Sequence, residues 1–262
     1  MMLGTTPRVS VCMATFNGSR FLREQMSSIL SELDSTDEVV VVDDASSDDT
    51  LNTIEGLGDE RVKVWVHARN RGYVRSFEEA LSRASGKYLF LSDQDDVWVP
   101  GRVSEMVAAL ERHDVVATNL AVLNGPDRIR GPFGIVDWRV KPRDSGRRVK
   151  NVSELFIGIA CYWGCAMAVR RDALRYILPF PEFLNESHDL WIALAGNVAG
   201  SMAHLDERTV LHRYHESNIT PTSWRSLRHI IGARVMLARC LFVVLNRLVC
   251  VRTWRRRGKG GF

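Results

Sequence analysis

The chain lacks most of the short signatures that would settle a function at once. It has no Gly-x-Gly-x-x-Gly dinucleotide turn and no Gly-x4-Gly-Lys-Ser/Thr phosphate loop. Its five cysteines, Cys12, Cys161, Cys165, Cys240 and Cys250, are odd in number and widely scattered. They form neither a disulfide framework nor a zinc spacing, so they read as structural thiols in a reducing, cytoplasmic setting. Residues 1–7 are short and polar, and 9–14 is too brief for the apolar region of a secretory leader. The longest apolar stretch, 230–251, is broken by Arg234, Arg239, Asn246 and Arg247, which makes it a poor membrane span. No internal repeat is present.

Acidic residues are missing from one region. Between Ser223 and Phe262 there are ten basic residues and none of the opposite sign, which leaves 25 basic against 31 acidic residues in the rest of the chain. A mildly acidic body with a basic tail points to an anionic partner for the tail. Residues 222–262 therefore read as a basic amphipathic helix and tail, lying on an anionic membrane surface or packed on the body with solvated arginines. No nucleic acid is expected.

What is present is an ordinary globular composition, 45% hydrophobic and 25% charged over 262 residues, enough for one large α/β domain. Apolar runs at 9–14, 38–42, 61–66, 88–91 and 115–123 alternate with helical spacing at 20–33, 48–57, 76–85 and 100–112. This predicts a mostly parallel central sheet flanked by helices on both faces. Residues 125–148 read as a long surface loop. After it come a helix start at 152–156, a strand at 165–169, helices at 172–178 and 189–195, and a strand at 210–214.

Two acidic clusters close two of the strands: Asp43-Asp44-Ala45-Ser46-Ser47-Asp48, and Asp93-Gln94-Asp95-Asp96. In open α/β sheets ligands bind outside the carboxyl ends of the strands. Crowded carboxylates there need a cation or a hydrogen-bond donor between them, and the second cluster offers hard oxygen ligands for Mg2+ or Mn2+. Helix capping is the plainer reading of either one alone. Tyr162, Trp163 and Trp191 suit either sugar stacking or core packing.

The run Val9-Ser10-Val11-Cys12-Met13-Ala14-Thr15-Phe16-Asn17, followed by VVVDDASSDDT and LSDQDDVW, resembles family 2 glycosyltransferases with the A-type fold. Gly164-Cys165, His188-Asp189-Leu190-Trp191 and the run from His212 to Asn218 are similar to its bacterial rhamnosyltransferase-like branch. The likeness covers about 8–221. It implies a nucleotide-sugar-binding half over 8–124 and an acceptor-binding half over 150–221. It also implies an inverting, metal-dependent transfer from a UDP- or dTDP-sugar, dTDP-rhamnose included, to a glycan or lipid-linked acceptor in surface polysaccharide synthesis. Ala14, Thr15, Asn17, Asp43, Asp44, Arg75 and Asp95 would then line the donor pocket, with Asp44 on the pyrimidine imide and Arg75 near the diphosphate. Asp96, Asp95 and His215 would hold the metal, and Asp189 would be the general base. The enzyme would work in the cytoplasm, at the inner face of the cytoplasmic membrane. A nucleotidyltransferase and a non-catalytic nucleotide-sugar-binding protein attached to the membrane are the competing readings.

Overall fold

In the computed structural model, residues 6–215 and 226–257 are described, with side chains to Val251. The stretch 216–225, which holds the expected domain end at 221, and the arginines of the extreme tail lie outside that description. In chain order the elements are β1 (Val9–Thr15), α1 (Ser19–Leu30), β2 (Glu38–Asp43), α2 (Thr50–Glu55), β3 (Val62–Val66), α3 (Tyr73–Arg83), β4 (Tyr88–Ser92), β5 (Val97–Trp98), α4 (Arg102–Leu110), β6 (Val115–Val122), α5 (Arg148–Ile157), β7 (Met167–Arg170), α6 (Leu174–Ile177), α7 (His188–Ala199), β8 (Met202–His212) and α8 (Leu227–Arg257).

The fully buried run Val39–Val42 shows why the first strands are continuously apolar. Alternate side chains point to opposite faces of a strand. Val39 and Val41 join Leu22, Met26 and Ile29 of α1 in one core. Val40 and Val42 join Phe77, Ala80 and Leu81 of α3 in another. With helices on both faces, neither set can be polar.

The eight strands run in the order β3-β2-β1-β4-β7-β6-β8-β5. β3, β2, β1 and β4 are parallel neighbours. β7 lies antiparallel to both β4 and β6, and β8 is parallel to β6. The chain winds outward from β1 in both directions, so the crevice at the carboxyl ends of β1, β2 and β4 is the expected ligand position. Both acidic clusters open there.

Three local expectations change. The last strand begins at Met202, eight residues before the apolar run that announces it, and is bent by register shifts around Asn119 of β6. Residues 164–166 form a 3-10 turn rather than strand. The loop 125–148 carries two further 3-10 turns, Pro132–Gly134 and Pro142–Asp144.

The C-terminal helix packs on the body. Leu237, Cys240 and Val244 are completely buried in the core that contains Trp191. Arg247 donates to the carbonyls of Tyr176, Ile177 and Pro179, and Arg234 to that of Ile157. These arginines therefore bind backbone rather than water.

Candidate active site

The turn after β1 is welded to its neighbours on both sides. Thr15 Oγ1 donates to Asp43 Oδ2 at 2.8 Å. Asn17 turns the chain with φ +48° and accepts the Ser47 N–H on its side-chain oxygen at 2.8 Å. Gln94 accepts the Phe16 N–H at 2.9 Å and donates to the Phe16 carbonyl at 3.1 Å. A Cβ on Gly18 would overlap the Gln94 side-chain oxygen, so this approach requires glycine. Ala14 is the half-buried residue behind the turn.

Asp43 and Asp44 are both buried, and each accepts three short bonds. Asp43 accepts Thr15 Oγ1, the Ser46 hydroxyl at 2.6 Å and the Ser46 N–H at 2.8 Å. Asp44 accepts the Arg71 and Gly72 N–H groups at 2.8 and 2.7 Å, and its Oδ1 lies 2.7 Å from His67 Nδ1. The pair thus shapes the loop from His67 to Gly72. With three of about four lone-pair sites occupied, Asp44 keeps one acceptor position on Oδ2.

The cluster after β4 is paired by the end of β8. His212 Nδ1 lies 2.8 Å from Asp96 Oδ1, and the Arg213 N–H also points to that oxygen. His215 Nε2 lies 2.8 Å from Asp95 Oδ2. The two-residue ladder between β5 and β8, Val97 with Leu211 and Trp98 with Val210, sets this alignment. Asp95 and His215 line a cleft of about 600 Å³ together with Asn17, Gly18, Arg20, Phe21, Gln94 and Tyr214.

Asp96, next to Asp95 in the chain, is fully buried, and among the described residues its Oδ2 has only the Cys165 thiol facing it. Ligand atoms of Asp96, Cys165 and His212 all fall within 4.8 Å of one another. Burial, then the charges of Asp96 and Asp95, push Asp93 up to about 8. Burial opposes charge on His212, but the Asp96 hydrogen bond and the surrounding carboxylates carry it above its ordinary value. Behind the cluster, buried Arg102 donates to the Cys165 carbonyl at 2.7 Å. Its burial pulls it down to about 10, with Asp96 acting the other way. The cluster thus holds more negative charge than its neighbours neutralise, and a buried carboxylate oxygen beside imidazole and thiol donors fits a divalent cation.

Asp189 stands in the first turn of α7, and its Oδ1 accepts the N–H of the following Leu190 at 2.8 Å. Its charge helps raise both Tyr73, where burial is the larger cause, and Asp93. Tyr73 accepts the Ser187 N–H at 3.0 Å just before this helix. His188 stacks on Phe77 at 4.2 Å and lies against Gly164, where any Cβ would meet its ring.

The geometry redistributes the expected roles. The Arg75 guanidinium binds Glu78 and the carbonyls of Phe180, Pro181, Glu182 and Leu184, tethering the segment that leads to α7. The expected metal set splits into two pairs, Asp95 with His215 and Asp96 with His212. His212 and Cys165 were not expected there: Cys165 reads as an inert thiol, and only the second histidine of His212-Arg213-Tyr214-His215 carries the resemblance. Trp191 and Tyr162 are core residues, bonded to Ile177 and to His204 and Asn197, while Trp163 lies over His212.

Comparison with known proteins agrees with this architecture. The chain is 33% identical over 146 residues to the Bacillus subtilis glycosyltransferase EpsE, a match covering 53% of this chain and 50% of EpsE. It likewise spans about a third of an uncharacterized Haemophilus influenzae glycosyltransferase. Escherichia coli WfgD, a UDP-Glc:alpha-D-GlcNAc-diphosphoundecaprenol beta-1,3-glucosyltransferase, is 24% identical over 248 residues, covering 92% of both chains. Among solved structures, Staphylococcus aureus TarS 1–349 with UDP-GlcNAc superposes with a TM-score of 0.64 at 21% identity, over 92% of this chain and 72% of that one. The mannosyltransferase PcManGT of Pyrobaculum calidifontis, with GDP-Man and Mn2+, gives 0.57 at 18% identity, over 95% and 76%. The fold is that of the A-type glycosyltransferases. The Glycosyl transferase family 2 profile matches residues 10–178, and the chain belongs to that family.

Proposed function

We propose that this family 2 glycosyltransferase moves a sugar, with inversion, from a UDP- or dTDP-sugar to a hydroxyl of a glycan or lipid-linked acceptor during surface polysaccharide synthesis. The observation that carries the reading is the acidic turn at the carboxyl end of β4: Asp96 is fully buried with ligand atoms of Cys165 and His212 within 4.8 Å, and the adjacent Asp95 lines the cleft with His215. Residues 8–124 bind the donor and 150–221 the acceptor.

The turn Ala14-Thr15-Asn17 and the remaining lone pair of Asp44 meet the pyrimidine and ribose. Asp189 takes the proton from the attacking hydroxyl. One displacement from the face opposite the diphosphate needs no covalent enzyme intermediate. Asp96, with His212 and Cys165 beside it and the Asp95–His215 pair on the cleft, would hold a Mg2+ or Mn2+ ion, whose chemistry is to neutralise charge on the departing diphosphate. The lipid-linked acceptor of WfgD supports an acceptor at the cytoplasmic membrane, with the basic C-terminal segment on its inner face. Rhamnose remains one candidate donor sugar among hexoses.

The test is a screen of nucleotide sugars with Mn2+, scored by released nucleoside diphosphate and by the anomeric configuration of the product. Release from one UDP- or dTDP-sugar, dependent on an acceptor and abolished by chelation, is expected. Release of pyrophosphate from nucleoside triphosphates instead would favour a nucleotidyltransferase. Nucleotide binding without turnover of any donor would favour a non-catalytic binding protein.

A further inference from the structure

The face of α8 turned away from the body has a composition unlike the rest of the surface. One side of the helix is consumed: Leu237, Cys240 and Val244 are buried against the core, and Arg234 and Arg247 bond to body carbonyls. On the opposite side stand Leu227, Ile231, Val235, Phe242, Leu245 and Val249, all exposed, Phe242 by 67% and Val249 by 59%. Their spacing, with exposed Ala238 filling the gap, follows three and four residues in alternation beyond Val235. They therefore form a continuous stripe along one side of a 31-residue helix about 46 Å long. A second apolar feature joins it: a groove of about 440 Å³ lies between this stripe and Phe183, walled by Val235, Ala238, Phe242 and Val243, with the Arg239 guanidinium 3.9 Å over the Phe183 ring.

The charge around the stripe identifies what covers it. From Ser223 onward the sequence carries ten basic residues and no acidic one. A second copy of the chain would bring arginines against arginines with no carboxylate on either helix to pair them. An anionic lipid surface supplies the missing sign and the apolar phase together. Spanning is excluded for the described residues, because no helix is long and apolar enough to cross a membrane.

We infer that α8 lies in the plane of an anionic bilayer with the Leu227–Ile231–Val235–Phe242–Leu245–Val249 stripe in the acyl boundary, while its other face stays docked on α6 and α7. This deepens the membrane part of the proposed function by naming the contacting face, and it rests on that part alone. The docked face ties the lipid surface to the acceptor side of the site. α7 carries Asp189 at its first turn, and Phe183 belongs to the segment that Arg75 tethers just before it.

The experiment is sedimentation of the full chain with vesicles rich in phosphatidylglycerol and with vesicles of phosphatidylcholine alone. It is run for the natural chain and for a triple variant, Ile231→Gln, Val235→Gln and Phe242→Gln. All three side chains are exposed, so the variant's thermal unfolding should match the natural chain. Expected are binding to the anionic vesicles that weakens with salt, little binding to the neutral ones, and a loss of roughly tenfold or more in the variant. Failure to bind the anionic vesicles, equal binding to neutral ones, or undiminished binding by the variant would each overturn the inference. So would a dimer of the natural chain that the triple variant dissolves without any lipid present, since the stripe would then belong to a second copy. UDP binding by the same preparations reads the donor site separately. A chain that binds nucleotide but ignores vesicles refutes only the membrane surface, and one that binds vesicles but no nucleotide refutes only the reaction.

Discussion

Gln94 holds Phe16 by both of its backbone groups, accepting the N–H at 2.9 Å and donating to the carbonyl at 3.1 Å. One side chain therefore fixes the distance between the turn after β1 and the acidic turn after β4. Both bonds are exposed, so their net worth to stability is about 1 kcal/mol. Gln94→Ala is expected to lower the unfolding free energy by about that amount and to weaken UDP binding roughly fivefold. Denaturant titration and calorimetric nucleotide titration measure the two effects, and unchanged nucleotide affinity would remove this bridge from the donor site.

Asp44 anchors the loop from Arg71 to Gly72 through two backbone N–H groups. In Asp44→Ala those donors, and His67 with them, lose their acceptor in a buried position. The expected cost is about 1–3 kcal/mol, read by chemical denaturation, together with loss of pyrimidine nucleotide binding. A variant of full stability that still fails to bind nucleotide would assign the carboxylate to the ligand rather than to the loop.

Glu38 sits on β2, its side chain almost wholly buried, with Lys63 at 2.6 Å and hydrogen bonds from Ser10 and Ser85. Burial alone would raise it, but Lys63 and the serines hold it at about 2, below its ordinary 4.5. A carboxyl lowered on folding stabilises the fold above its unfolded value and loses that contribution as pH falls through the folded one. Unfolding free energy should therefore decline between about pH 4.5 and 2, by on the order of 3 kcal/mol from this group. Denaturation curves across that range should show a flatter decline for Glu38→Gln.

Asp189→Asn removes the proposed base while keeping a side chain of the same shape at the start of α7. Transfer is expected to fall by about 10²–10⁴-fold with donor affinity retained. Single-turnover assays alongside nucleotide titration separate the two, and equal losses in both would show that the residue organises the site instead.

Much of the fold was legible because its first half obeys simple periods. Val39–Val42 is apolar throughout since both faces of β2 are covered, and Asp43 and Asp44 mark where burial stops. Strand β8 was less legible. Its first half, Met202 to Thr209, mixes polar and apolar residues, and only pairing with β6 makes it a strand. The acidic cluster itself was readable as a local run, but its partners were not. His212 and His215 lie more than a hundred residues away, and no spacing in the sequence predicts which histidine meets which aspartate. Arg75 is hard to read for a related reason: in sequence a lone arginine looks the same whether it meets a phosphate or, as here, the carbonyls of Pro181, Glu182 and Leu184. The C-terminal helix was legible as amphipathic, yet its arginines stabilise the body through Tyr176, Ile177 and Pro179, so the segment is integral to the core.

The short ladder that joins Val97 and Trp98 to the end of β8 also orders events during synthesis. A chain still leaving the ribosome exposes its aspartates long before their imidazole counterparts exist. Those carboxylates stay without their imidazole partners until His212 and His215 have been made, so the site is completed only once β8 exists.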